Sequence, residues 1–520
     1  MKDLTSSVYT FEDLIHGNYL YVDKTEYIWK LVRPYKGIYF MSRPRRFGKS
    51  LTVSTLKAVF QGRKELFDGL AIDDKPYDWK EYPVIHLDMA NCNARNASDL
   101  ENFISDTLRG HADLFGMKLR GQSNAMRFEC LIGDIVTAAG SPVVILLDEY
   151  DKPILNTLMT PEAQECRDAL KGFYSSIKKC ESLERFVFVT GVTKFSQVSL
   201  FSELNNLTDI TMHADYATML GYTQDEFEKN FSDRIDDAVS KLNIQGEELL
   251  TEIKAWYDGY RFEEHSGTVY NPVSLAQFFS NSCKFNNYWF STGTPSLLME
   301  LIKKTNFDFE NILSRPVSAV AFDAFEIDNI DPLSLLLQTG YLSIKSMQKK
   351  FNMPWYWLDF PNQEVSVSFN TYLLNAYAGK SQNDITNFCE QLADAMVNGN
   401  IELLRKALEA FFAGIPYDIH HKSESNFQNI FFALFRLLGY YIMSESRTSD
   451  GRIDAVTQTD KWIYLFEFKL DQDDSALSQI KAKEYFKPYL LSAKRIMLIG
   501  VNYNTKTGRL SDWKNEEVKK

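Results

Sequence analysis

Ser42-Arg43-Pro44-Arg45-Arg46-Phe47-Gly48-Lys49-Ser50 stands between a strand-like run, GIYFM at 37–41, and a helix-like run, LTVSTLKAVF at 51–60. Strand, loop and helix in that order form a phosphate-binding context, because backbone N–H groups at a helix N-terminus can hold phosphate oxygens. In such a loop Lys49 reaches the β- and γ-phosphates of a nucleotide and Ser50 ligates Mg²⁺. Arg45, Arg46, Phe47, Gly48 and Leu51 complete the expected nucleotide-binding segment. The motif departs from the usual P-loop at one position. Glycine normally stands five residues before Gly48, where this chain has Arg43, which points to a reshaped loop or slower hydrolysis.

A GKS tripeptide alone is often only a basic turn at a helix start, so the partner motif matters. It is found at Val143-Val144-Ile145-Leu146-Leu147-Asp148-Glu149. An apolar strand ending in Asp-Glu places Asp148 near Mg²⁺ and Glu149 where it can orient an attacking water. The next apolar run, RFVFVTGV at 185–192, carries Thr190 near its end. Thr190 is either a γ-phosphate sensor or a strand cap. Arg261 follows WYDGY at 256–260 and is either a sensor or finger arginine or a surface side chain lying over aromatics.

Outward from the loop, residues 1–220 alternate apolar runs with helical patterns, the signature of an α/β parallel sheet. PVVILLDEY (142–150) and RFVFVTGV are almost wholly apolar, as strands buried on both faces are. The 221–400 region reads as helical with two wing-like stretches, YRFEEHSGTVY at 260–270 and Tyr341–Val367, the second following PLSLLLQT in the manner of a winged helix. The 401–520 region reads αβββαβ: helix 425–438, strands 440–446, 452–458 and 462–470, helix 475–490 and strand 495–503.

Within that last unit Asp454 follows the Asp450-Gly451 turn, and Glu467-Phe468-Lys469 lies thirteen residues on. Alternate residues share a strand face, so Glu467 and Lys469 project together while Phe466 and Phe468 point the other way. Adjacent strands would bring Asp454 beside Glu467, an oxygen-rich pair suited to Mg²⁺, with Lys469 positioned to activate water. Glu424 on the preceding helix and Gln479 on the following one would complete the site. An E-x-K pair on a strand is usually a solvated face, and the flanking apolar residues argue against that here.

Bulk properties bound the rest. The chain has 520 residues, 45% of them hydrophobic and 24% charged, with a net charge of −12. That balance excludes a protein that coats DNA through a general field. Residues 421–520, with 16 Lys+Arg against 13 Asp+Glu, hold +3 and leave −15 for the remainder, so any nucleic-acid contact is expected near the C-terminus. No apolar run approaches the ~18 residues of a membrane helix. Six scattered cysteines show no metal or disulfide pattern. A cytoplasmic protein with free thiols, away from membranes, is expected.

Taken together, YVDKTEYIWKL (21–31), SRPRRFGKSL, VVILLDEYD, TGVTKFS (190–196) and LNNLTDIT (204–211) resemble the bacterial and archaeal AAA-ATPase-like family. WYDGYRF, YNPVSL, QTGYL and PNQEV are similar to that family's middle region. GRIDAV, YLFEFK and QIKAKEY within 423–503 resemble the PD-(D/E)XK nuclease domain that commonly follows it. The resemblance makes Arg43 typical, since the family's loop also reads RPRRFGKS. It implies ATP and Mg²⁺ as cofactors and DNA or another nucleic acid as the C-terminal domain's partner. A homo-oligomer is left open. Three readings compete: an ATP-regulated enzyme acting on nucleic acid, a nucleotide-switched interaction or DNA-binding protein with an inactive nuclease fold, and a pure ATPase motor, which no mark of an oligomeric pore supports.

Overall fold

The computed structural model describes residues 1–194, 206–290, 296–322, 330–415, 424–441, 443–445, 455–471, 476–504, 507 and 509–519. Backbone contacts divide the chain into two compact units, Met1–Thr292 with Pro316–Asn362, and Gly293–Arg315 with Gln363–Lys520. The region read from sequence as a separate middle is therefore shared between them.

The first unit is built on a five-stranded parallel sheet of β1 (Gly37–Ser42), β2 (Val84–Asp88), β3 (Val143–Asp148), β4 (Glu184–Gly191) and β5 (Thr208–Asp209), in the order β2-β3-β4-β1-β5. Every residue of β3 and β4 is buried, which is why their sequences are apolar without alternation. The helices that cover the sheet begin where local chemistry starts them. Asn96 accepts from the Asp99 N–H at 2.9 Å to cap Ala97–Leu114, and Ser123 caps Asn124–Ala139, which Gly140 ends at φ +63°. Later helices, Gln224–Leu242 with its Thr223/Glu226 capping box and Gly246–Tyr257, enclose an aromatic core around Phe227, Phe231 and Tyr257.

Residues 260–270, read as a wing, do not form a ladder. Their arms meet at the isolated bridge Tyr260↔Val269, because side chains of the turn bond locally, Glu263 accepting from the His265 N–H at 2.8 Å. A true hairpin does follow the helix Pro332–Gln338. It consists of β7 (Ser343–Lys350) and β8 (Met353–Asp359), joined by the short β6 (Val317–Ser318) in the order β6-β8-β7.

One buried group opposes the fold. Glu184 at the start of β4 is 4% exposed, neither carboxylate oxygen has a hydrogen-bond partner, and burial pushes its pKa to about 8 despite the charge of Lys36. A carboxyl whose folded pKa exceeds its unfolded value binds protons in the folded state, so it reduces stability progressively as pH rises from the ordinary carboxylate range through 8. Glu184→Gln should melt at the parent's temperature under acidic conditions and several degrees above it in mildly alkaline buffer. Equal melting temperatures across that range would show the carboxyl to be solvated and to ionise as it does in the unfolded chain.

The second unit packs helices Gln363–Ala378, Gln382–Val397, Ile401–Ala413 and Glu424–Tyr441 with a mixed sheet. Its strands are β9 (Met443–Glu445), β10 (Ala455–Gln458), β11 (Trp462–Leu470), β12 (Arg495–Asn504) and β13 (Arg509–Glu517), in the order β13-β12-β11-β10-β9. Only β11 and β12 run parallel. The helix expected over 475–490 stops at Ala482, since Glu484 takes a left-handed φ of +52° and Pro488 cannot continue it. All six cysteines are free thiols. No helix among the described residues is long and apolar enough to cross a membrane.

Candidate functional site

The loop between β1 and the helix Lys49–Phe60 bends through two left-handed residues, Arg46 at φ +66° and Gly48 at φ +93°. An L-residue rarely adopts such a φ, so the loop is held by its surroundings. Arg43 provides one clamp. Its side chain is 1% exposed, and its Nη1 donates to the carbonyls of Ser42 (2.9 Å) and Thr211 (2.6 Å). The guanidinium also lies 4.2 Å from the Phe262 ring centre. Burial lowers the Arg43 pKa to about 9, opposed by the charge of Asp209, so the group stays cationic at neutral pH.

Phe47 is the second clamp. Its buried ring meets Tyr260 and Phe262 edge-on, at 4.8 and 5.4 Å. Trp289 Nε1 donates to the exposed Arg45's carbonyl at 3.1 Å, and Gly340 lies so near Pro44 that a Cβ there would come within 2.7 Å of the proline ring. The motifs WYDGYRF and QTGYL are thus the seat of the P-loop. A pocket opens beside it, lined among others by Ser42, Pro44, Lys194, Tyr260 and Arg261. Arg261 donates from Nη1 to the Lys345 carbonyl at 3.2 Å.

Lys49 is 4% exposed, and its ammonium donates to the carbonyls of Arg43 and Pro44 at 3.0 and 3.1 Å while lying 3.8 Å from Glu149 Oε1. Glu149 takes φ +54°, which turns it out of β3 towards the lysine. Asp148 lies beside the Ser50 hydroxyl, and its Oδ1 is buried with no hydrogen-bond partner. Burial pushes its pKa up to about 6, opposed by the neighbouring Ser50 hydroxyl. An acceptor left unsatisfied beside a serine hydroxyl is the donor set a divalent cation would complete. Leu51 is half-buried in the first turn of the helix.

Thr190 is 1% exposed and donates to the Met41 carbonyl across the sheet at 2.8 Å, so its hydroxyl hydrogen is directed at β1. The residue that organises this end of β4 is Asp151, which sequence reading passed over. It accepts from Thr193 Oγ1 at 2.7 Å and from the N–H groups of Val192 and Thr193, fastening β4 to the loop after Glu149. The third acid of LLDEYD was the available signal.

In the second unit Glu467 is 3% exposed on β11, and Gln479 Nε2 donates to its Oε1. Lys469 is half-buried two residues on, on the same strand face. Phe466 and Phe468 turn to the opposite face, where they pack on Phe435 (4.9 Å) and Phe431 (3.8 Å) of the helix Glu424–Tyr441. Asp454 lies outside the described residues; Ala455, the next in the chain, pairs with Phe466. Glu424 opens its helix, and its side chain is likewise outside the description.

Gly500 explains how Gln479 reaches Glu467. It pairs with Glu467 in the β11/β12 register, and a Cβ on it would stand 2.2 Å from the Leu477 nitrogen. Only glycine lets the helix Ala476–Ala482 lie this close to β12. Gly500→Ala should lower stability by about 1–3 kcal/mol through overpacking, measured by urea denaturation. A parent-like midpoint would show that the helix shifts freely.

The family profile described as Predicted AAA-ATPase matches residues 6–201, and that of the PD-(D/E)XK nuclease superfamily matches residues 422–513. An uncharacterized protein in the vnfD 5′ region of Azotobacter chroococcum mcd 1 is 37% identical over 516 residues, covering 97% of this chain and 96% of that one. Among solved structures, the Aeropyrum pernix ORC2 protein (ADPNP–ADP complexes) aligns over 81% of this chain and 85% of that chain at 12% identity, with a TM-score of 0.29.

Proposed function

Because the chain belongs to the predicted AAA-ATPase family, and ends in a domain of the PD-(D/E)XK nuclease superfamily, we propose that it binds and hydrolyses ATP and cleaves nucleic-acid phosphodiester bonds, DNA foremost. The observation that carries the ATP reading is the meeting of Lys49, Ser50, Asp148 and Glu149, with Asp148 Oδ1 buried and unsatisfied. Ser50 and Asp148 would hold Mg²⁺, which when bound neutralises developing phosphate charge. Lys49 supplies the cation on the β- and γ-oxygens once it leaves the Arg43 and Pro44 carbonyls. Glu149 holds a water in line, and Arg43 and Phe47 keep the loop's N–H groups pointed at the phosphates.

For the nuclease, Glu467 and Asp454 are the proposed carboxylates for a divalent ion, with Lys469 positioning the hydrolytic water and Gln479 orienting Glu467. The competing reading, an inactive nuclease fold that binds DNA or a partner under nucleotide control, draws on the Gln479–Glu467 bond, which satisfies a carboxylate oxygen without metal. The full chain incubated with plasmid DNA and RNA, with Mg²⁺ or Mn²⁺ and with or without ATP, separates the two. Metal-dependent cleavage supports the enzyme, and none under any metal supports the binding module.

A further inference from the structure

The hairpin β7–β8 shows its two faces to different surroundings. Tyr356 and Leu358 are each 3% exposed, with Tyr356 packed on Phe322 at 4.6 Å between ring centres. Cross-strand pairs Ser346↔Trp357, Gln348↔Trp355 and Lys350↔Met353 set the opposite face. There Trp357 and Trp355 are half-buried and Met353 is 54% exposed, so an apolar row climbs towards the turn. The turn carries Phe351, 80% exposed, and Asn352, both with left-handed φ. Lys350 lies over Phe351 at 5.4 Å and over Trp355 at 6.0 Å.

Charge on this segment runs against the rest of the chain. Residues 343–353 hold three lysines and no carboxylate, in a protein of net charge −12. Phe351 and Met353 expose adjoining apolar surface at the turn, and exposed apolar patches mark interaction sites. An exposed Phe351 ring and a half-buried Trp355 ring with Lys350 between them fit unpaired bases, whose faces stack while a phosphate meets the ammonium group. Duplex nucleic acid keeps its bases stacked internally and offers no such faces to a hairpin side.

We infer that the β7–β8 hairpin is a binding platform for single-stranded nucleic acid, with Phe351 and Trp355 stacking on bases and Lys350 between them holding a phosphate. This adds to the proposed nuclease a contact on the ATPase-bearing unit, and it does not depend on cleavage.

The test uses the full chain carrying Glu467→Gln, in EDTA so that no strand is cut, with a fluorescein-labelled oligothymidylate followed by anisotropy. Phe351→Ala should weaken binding roughly tenfold through lost stacking, and Phe351→Trp should retain it. Lys350→Ala should reduce the slope of log affinity against log salt by about 0.7, the share of one single-strand phosphate. An annealed duplex of the same length should respond little to Phe351→Ala. The inference is overturned if the parent does not bind the oligonucleotide, if these variants bind like the parent, or if duplex binding falls as far as single-strand binding. Anionic phosphatidylserine vesicles that bind the parent and release the variants, with oligonucleotide binding unchanged, would make the hairpin a membrane contact instead and overturn it too. Failure of the parent to cleave under any metal would sink the nuclease reading and leave this result standing.

Discussion

Lys49→Ala should weaken Mg·ATP binding roughly a hundredfold or more, as charge-assisted bonds worth about 1.5–3 kcal/mol each are lost. Lys49 is buried at 4% exposure, held on the Arg43 and Pro44 carbonyls beside Glu149. Arg43 cannot take its place, since its guanidinium is held by the Thr211 carbonyl and the Phe262 ring. Glu149→Gln should separate binding from turnover. It keeps Lys49, Ser50 and Asp148, so calorimetry should give near-parental affinity, while phosphate release slows by about two orders of magnitude for want of the water-orienting carboxylate. A Lys49→Ala protein that binds Mg·ATP as tightly as the parent would end the P-loop assignment. Melting curves recorded alongside exclude unfolding as the cause.

The second large effect is expected at Glu467. Glu467→Gln keeps the side-chain shape and the packing of the helix Ala476–Ala482 but removes the negative charge that would hold a divalent ion. Metal-dependent cleavage should fall by about a hundredfold or more, with the unfolding free energy within about 1 kcal/mol of the parent. Asp454→Asn should produce a similar loss, and the double variant little more, because groups that act through one ion are not additive. Gln479→Ala should cost less, since it acts by orienting Glu467. Undiminished cleavage by Glu467→Gln, in a preparation free of contaminating nuclease, would place the chemistry elsewhere.

The two sites were legible in the sequence to different depths. Lys49, Ser50, Asp148 and Glu149 could be read because each follows an apolar run, and a parallel sheet carries the C-terminal ends of its strands to one edge. Glu467 and Lys469 could be read from the period of two along WIYLFEFKL, and β11 spans Trp462–Leu470 as that pattern requires. Thr190 shows the limit. Its position at a strand end was visible, but the hydroxyl's bond to Met41 depends on which strand lies next, and β1 joins β4 only through the order β2-β3-β4-β1-β5.

Near-neighbour patterns settled the strands, the phosphate loop and the carboxylate-bearing β11, because apolar periodicity and turn chemistry act within a few residues. Tertiary structure alone decided what those elements meet. Arg43 stands where a glycine is usual because Phe262 and the Thr211 carbonyl, distant in the chain, receive its guanidinium. Gln479 reaches Glu467 because Gly500, on a third element, leaves room for the helix between them. Such partners are chosen by packing across long loops, and no local pattern of residues encodes them.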